Sequence, residues 1–261
     1  MDMDIAELQK ISGAVRRDAL EMIYKAGSGH PGGSLSCVEI LVALYFDVMN
    51  EDDLFYLSNG HVCPALYSVM IEKGTLPRES LSQYSVLGSP LQGHPESTKL
   101  PGIPNTSGPL GLGLAQAAGY AAVKKNSTVY CMTSDGEHDE GNHWEAVMFA
   151  AKYKLNNLIQ IVDRNRIQIE GTTDEIMPLG DLRKRYESLD WEVVEINGHN
   201  FGEIINTISN LKSQTSNPKP KVIIANTIFG KGISFMESNP DWHAKAPNED
   251  EYKLAIKELG E

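Results

Sequence analysis

An open α/β fold, its sheet mostly parallel and its helices on both faces, is what three observations in this 261-residue sequence predict. The first is the stretch Val129 to Gly171. A run of strand formers, Val129 to Met132, breaks at Ser134-Asp135-Gly136 and gives way to a helical pattern, with Trp144, Val147, Met148, Ala151 and Leu155 at spacings of three and four. A second apolar run, Leu158 to Val162, then ends at Asp163-Arg164-Asn165. Such a crossover is right-handed and brings both strand ends to one edge of a parallel sheet. The second observation is that the alternation returns, with a strand over Asp190 to Ile196, a helix over Glu203 to Leu211 and a strand over Lys221 to Thr227. The third is length: the chain suffices for one large domain with a buried sheet, and no composition break divides residues 1–261.

The elements follow in order. Ile5, Leu8, Ile11, Val15, Ala19 and Met22 recur at helical spacing, so residues 4–25 read as an amphipathic helix that stops at Gly27. Ser28-Gly29-His30-Pro31-Gly32-Gly33-Ser34 is too rich in Gly and Pro for a helix and leads into one from about Ser36 to Met49. Ser58-Asn59-Gly60-His61 precedes a helix beginning near Pro64, and Gly93-His94-Pro95-Glu96 sits in a loop. Ser107-Gly108-Pro109-Leu110-Gly111 feeds a helix running through Val123, where free N–H groups can meet polar ligand atoms. After the strand ending at Thr227, Phe229-Gly230-Lys231-Gly232 opens a long loop containing Trp242-His243, before a charged helix from about Glu249. A loop of that length is either functional or disordered.

Composition narrows the function classes. A formal charge of −12 disfavours nucleic acid and anionic membrane surfaces as partners. Cys37, Cys63 and Cys131 lie far apart in apolar surroundings, which reads as buried reduced thiols rather than a metal or redox motif. Met1-Asp2-Met3-Asp4 carries acid where a secretory signal carries base, and no uncharged apolar run approaches the roughly 18 residues of a membrane span. The expectation is a soluble, cytoplasmic protein.

Candidate chemistry gathers at the loops. Asp135 and Asn165 offer two side-chain oxygens at neighbouring strand ends, where open α/β sheets bind ligands. Two hard oxygens suit Mg²⁺ completed by water and phosphate, although Asp and Asn also cap turns without any ligand. Of seven histidines, His30, His61 and His94 each follow a glycine, and that coincidence favours one shared cleft. His138 and His143, five apart, would point to different faces of a helix and so form no zinc pair.

The whole stretch resembles the thiamine diphosphate signature, in which Gly-Asp-Gly is followed by a long spacer and an Asn. Here the triplet is Ser134-Asp135-Gly136, residues 137–163 intervene, and Asn165 follows Arg164. The resemblance is closest to transketolase: Glu140-Gly141, Trp144-Glu145-Ala146, then Asp163, Asn165, Ile167, Ile169 and Gly171 match its pattern, as do the loops 28–32, 58–61, 87–96 and 107–111. Ser134 and Ser107 depart from the family's Gly and Thr.

What the resemblance implies is specific. The fold is that of a pyrophosphate-binding thiamine diphosphate domain. Asp135 and Asn165 ligate Mg²⁺, or Ca²⁺ or Mn²⁺ in its place, through side chains, and Ile167 does so through its carbonyl. His61 meets the diphosphate; Gly108, Pro109 and Leu110 line the cofactor rings; Gly136, Glu137, Glu140 and Asn165 lie on the cofactor side. His30 and His94 bond sugar hydroxyls, and His243, within Trp242-His243-Ala244-Lys245-Ala246-Pro247, contacts cofactor and substrate.

The likeness covers only the diphosphate-binding half of a full transketolase. The glutamate and aromatics that hold the aminopyrimidine in that family have no counterpart after Gly171, so the pyrimidine-binding and carboxyl-terminal domains are expected on a partner chain in an α2β2 assembly. The expected activity is transfer of a two-carbon ketol unit from a ketose phosphate to an aldose phosphate, in pentose phosphate metabolism. Rival readings are a related enzyme for another sugar, the α subunit of a 2-oxoacid dehydrogenase, which lacks the Gly-His loops, and a non-catalytic module that retains the fold.

Overall fold

The computed structural model describes residues 3–260; Met1 and Asp2 of the acidic amino-terminal run, and Glu261, lie outside them. Helix α1, Ile5–Ala26, is capped by the Asp4 carboxylate and closed by Gly27. Helices α2, Pro31–Ser36, and α3, Val38–Ala43, with a π turn over Leu44–Val48, form one helical run broken at Cys37. The run thus begins five residues before the expected Ser36. Pro31 sits at the first helical position, where its fixed φ is favourable and its missing N–H is no loss. Gly32 is demanded by packing: a Cβ there would lie 2.0 Å from the Phe229 ring.

Strand β1, Leu54–Leu57, leads to α4, Cys63–Glu72, and α5, Leu112–Val123. Strand β2, Val129–Ser134, helix α6, Gly141–Lys152, and strand β3, Leu158–Arg164, form the crossover unit. A hairpin of β4, Ile167–Gln168, and β5, Gly171–Thr172, is followed by α7, Thr173–Ile176, and α8, Leu182–Ser188. Then come β6, Glu192–Asn197, α9, Phe201–Ser213, β7, Lys221–Asn226, and α10, Glu249–Glu258. The main sheet has the order β1-β2-β3-β7-β6 and every pairing in it is parallel.

Side chains alternate across the strands and so fill two cores. Tyr130, Met132, Ile159, Ile161, Ile223 and Ala225 pack on one face with α1, α3, α4 and α9. Val129, Cys131, Leu158, Val162, Val222 and Ile224 pack on the other with α5, α6 and α8. The three cysteines are buried and unbridged. A third core, with Leu20, Leu35, Phe229, Ile233, Met236, Trp242 and Ala255, lies under the long loop after β7, so that loop is built rather than loose.

Two expectations about α6 are corrected. Its buried residues are His143, Ala146, Val147 and Ala150, whereas Met148 of the expected inner stripe is 51% exposed. The helix is apolar almost all round, so spacing alone could not choose its inner face. His138 lies not on that helix but in a 3₁₀ turn, Gly136–Asp139, before it, and its ring comes to 4.2 Å from that of His143. Gly32→Ala tests the packing argument. The added methyl has no room beside Phe229, so stability should fall by about 1–3 kcal/mol in urea denaturation; an unchanged midpoint would mean the ring moves freely.

Candidate active site

Parallel register places the carboxyl ends of four adjacent strands along one edge. Ser134 stands opposite Asp163, and Asp163 opposite Ala225. The turns that leave these strands carry His61 after β1, Asp135 after β2, Asn165 after β3 and Phe229 after β7. They surround a cleft of about 300 Å³ whose walls include His30, His61, His94, Gly108, Leu110, Gly136, Glu140, Asn165, Ile167 and His243.

The loops approach closely because small residues allow it. A Cβ at Gly60 would lie 2.4 Å from Ser107 and 3.3 Å from His94, so the three loops can meet only around a glycine. The rings of His30, His61 and His243 then stand within 5.1 to 5.7 Å of one another. His243, on the long loop, is held parallel to Phe229. The Nδ1 atoms of His30 and His243 are buried without a hydrogen-bond partner, which leaves them free for a ligand.

Burial keeps these rings uncharged. It lowers His30 to about 4, with His243 and His94 contributing, and it holds His61 well below its ordinary value, helped by the same neighbours. Burial also lowers His94 and His243. Neutral imidazoles can accept a hydroxyl proton; imidazolium ions cannot.

Of the oxygen donors, Asn165 and Ile167 line the other side, whereas Asp135 lies behind the cleft wall. Asp135 is fully buried: Oδ1 accepts from the Gly136 N–H at 2.9 Å and Oδ2 from the Arg166 N–H at 2.7 Å. Asn165 Oδ1 accepts from the Ile167 N–H at 3.1 Å, so both oxygens converge on the same short turn. Burial pushes the Asp135 carboxyl up to about 7, Arg164 opposing and Asp163 reinforcing the rise. Arg164 is a partner that the motifs do not reveal; its Nη1 lies 3.2 Å from both Asp135 Oδ2 and Thr173 Oγ1. Asp163, matched by the motif but given no role there, is a further partner: its buried carboxylate accepts from Ser36 Oγ, Thr227 Oγ1 and Asn165 Nδ2. Among the described residues no three His, Cys, Asp or Glu side chains gather into a metal site. A cation here would rely on one carboxylate, one amide oxygen, main-chain carbonyl and phosphate, an all-oxygen set that fits a hard ion.

Other assigned residues fall differently. Glu137 is buried behind the cleft, where its carboxylate accepts from Ser58 Oγ, the Gly111 N–H and the Ser134 N–H, and so staples three loops together. Pro109 is exposed between two cleft residues. Asp139 and Gln168 line the cleft although no motif pointed to them, and Ile169, matched by the motif but given no role, lines it with φ of 50°, a strained backbone for a β-branched residue.

A parallel sheet with histidines and hard oxygens at its carboxyl edge defines a ligand-binding α/β domain whose site lies in the crevice outside the strand ends. Comparison with known proteins is more specific. Residues 8–261 match the family model described as transketolase, thiamine diphosphate binding domain, and the chain belongs to that family. It is 39% identical to one subunit of the apulose-4-phosphate transketolase of Phocaeicola vulgatus, over 100% of this chain and 96% of that protein. It is 40% identical to the 6-deoxy-6-sulfo-D-fructose transketolase subunit SqwG of a Clostridium species, over 97% of this chain and 96% of that one. The solved transketolase of Campylobacter jejuni superposes with a TM-score of 0.91 at 33% identity, covering 99% of this chain but 43% of that chain. This chain therefore spans less than half of that solved enzyme.

The neutral histidines have a pH signature. An imidazole with a lowered pKa binds fewer protons folded than unfolded, so its contribution to stability is present above about 6.5 and lost as pH falls toward about 4. Urea midpoints should drop across that interval, and His30→Asn should drop less than wild type. Equal losses in the two would remove His30 from the acid response.

Proposed function

We propose that this chain is the cofactor-binding subunit of a two-chain transketolase, which moves a two-carbon ketol unit from a ketose phosphate to an aldose phosphate. The observation that carries this reading is the convergence of four neutral histidines, two with idle ring nitrogens, on a cleft whose opposite wall presents Asn165 and Ile167. Polyhydroxy substrates need that number of proton acceptors; a 2-oxoacid does not. The names of the relatives support the same class, and they carry two different sugars, apulose-4-phosphate and 6-deoxy-6-sulfo-D-fructose, so the sugar pair is the open part of the reading.

In this reading Asp135, Asn165 and the Ile167 carbonyl would hold Mg²⁺, and His61 would reach the diphosphate, with Gly136 and Glu140 beside it. Thiamine diphosphate, when bound, supplies the electron sink that lets a carbon–carbon bond beside a carbonyl break. His30, His94 and His243 would take and return protons at sugar hydroxyls, a step their uncharged state permits. Gly108 and Leu110 would wall off the cofactor rings from water. Arg164 keeps Asp135 oriented through a buried, charge-assisted contact.

The reading also requires a second polypeptide that carries the pyrimidine-binding half. A cleft of about 300 Å³ is at the small end for a ligand site, as expected of a site completed by another chain. The outer faces of α5 and α6, which pack together beside the cleft, leave Leu112, Met148, Phe149 and Tyr153 39 to 58% exposed. That apolar surface is where the partner is proposed to dock, in an α2β2 assembly. The single-domain organisation of residues 1–261 and a cytoplasmic setting belong to the same proposal; among the described residues no helix is long and apolar enough to cross a membrane.

The test is to purify the chain alone and with the product of the adjacent reading frame, then assay ketol transfer between ketose and aldose phosphates. Activity should require both chains, and activity of the isolated chain would overturn the two-chain reading. Asp135→Ala should abolish Mg²⁺-dependent cofactor retention measured calorimetrically while the thermal transition persists; unchanged affinity would remove Asp135 from the metal site. Phe149→Glu should abolish co-elution with the partner, and co-elution at the wild-type level would place the interface elsewhere.

A further inference from the structure

Directly behind Asp135 lies a polar network that the cleft does not use. His138 is 2% exposed, and His143, Tyr186 and Gln160 are fully buried. The Tyr186 hydroxyl is the hub: His138 Nε2 lies at 2.8 Å, His143 Nε2 at 2.9 Å and Gln160 Oε1 at 2.9 Å. Gln160 Nε2 in turn donates to Thr133 Oγ1 at 3.0 Å. On its far side His138 Nδ1 faces two main-chain carbonyls, those of Ser134 at 2.9 Å and Asp135 at 3.1 Å.

These neighbours determine where the protons sit. A nitrogen between two carbonyl oxygens must carry hydrogen, so His138 donates from Nδ1 and accepts at Nε2. The Tyr186 hydroxyl, which donates to Gln160 Oε1, also faces His138 Nε2, and His143 Nε2 stands between that hydroxyl and the Gln160 amide nitrogen at 3.5 Å. His143 Nδ1 is buried without a partner. An apolar cluster could fill the same space without that unsatisfied atom. The network's polar character is therefore poorly explained by packing alone.

We propose that His138, oriented by the Tyr186 hydroxyl, is a positioning residue for Asp135. Its Nδ1–H pins the carbonyls on either side of the Asp135 Cα, those of Ser134 and Asp135, and so sets the direction in which the Asp135 carboxylate leaves the end of β2. Trp144 Nε1 closes the device from the other side by donating to the His138 carbonyl at 2.7 Å. The inference rests on the proposed role of Asp135 in holding the cation. It assigns to Tyr186, on α8, a function at a site whose wall it never touches.

Mn²⁺ is the probe, with thiamine diphosphate and the partner chain present and free Mn²⁺ followed by electron paramagnetic resonance. His138→Leu, which removes the donor, should weaken Mn²⁺ binding about tenfold, the range found when a group supporting a metal ligand is lost. His138→Asn, whose amide N–H can reach the same carbonyls, should stay within about threefold of wild type, and Tyr186→Phe should fall between the two. Melting temperatures of the metal-free variants are measured alongside. Equal Mn²⁺ affinity in His138→Leu and wild type, or equal weakening in His138→Leu and His138→Asn, would reduce the network to a structural role and overturn the proposal. A wild-type protein that binds no Mn²⁺ at all would overturn the metal reading itself, and the inference with it.

Discussion

The wholly buried carboxylate of Asp163 is the contact on which the cleft depends. It lies at the end of β3 and accepts from Ser36 on α2, from Thr227 after β7 and from the Asn165 amide. Burial raises its pKa, and those same hydrogen bonds oppose the rise. Each partner brings a wall with it: α2 follows His30, Thr227 leads to Phe229 and the loop of His243, and Asn165 carries an oxygen donor. Removing the whole carboxylate would take an acceptor from all three donors, at a desolvation cost of about 1–3 kcal/mol for each one left without a partner.

A second layer of buried polar groups fixes the remaining walls. Glu137 joins the turn after β2 to Ser58 and to the Gly111 N–H, while Arg16 joins the Glu39 carboxylate to the Lys231 carbonyl at the base of the long loop. His199 contributes to the same anchor; its Nδ1 meets Glu39 and its Nε2 accepts from the Ile228 N–H. These groups lie outside the cleft, yet they decide which backbone atoms face it.

Much of this is legible in the order of residues, and the reasons for the rest are physical. Asp135 and Asn165 can be placed because turn residues punctuate strand ends, and a parallel sheet collects those ends on one side; His61 is marked only by the glycine before it and the helix after it. Helix α8 is invisible because Arg183, Lys184, Arg185 and Glu187 leave only Leu182 and Tyr186 to mark its buried face. Strand β1 spans four residues directly after an acidic run and offers too short a pattern to read. The meeting of His138 with His143 depends on where α6 begins, and a shift of a few residues reverses the expectation that the two rings point apart. Arg164 reads as a spacer between the motif positions Asp163 and Asn165, since nothing in its neighbours shows that its side chain turns back across the sheet edge to Asp135.

The uncharged state of the cleft histidines carries a further consequence for how an anionic ligand arrives. A molecule with a formal charge of −12, whose site supplies little compensating positive charge, repels a free diphosphate over the whole approach. Under the proposed function, a coenzyme that arrives already paired with a divalent ion meets less of this repulsion than the free diphosphate does. Order of addition and ionic strength thus become part of assembling the site, with salt easing capture where in a basic protein it would hinder it.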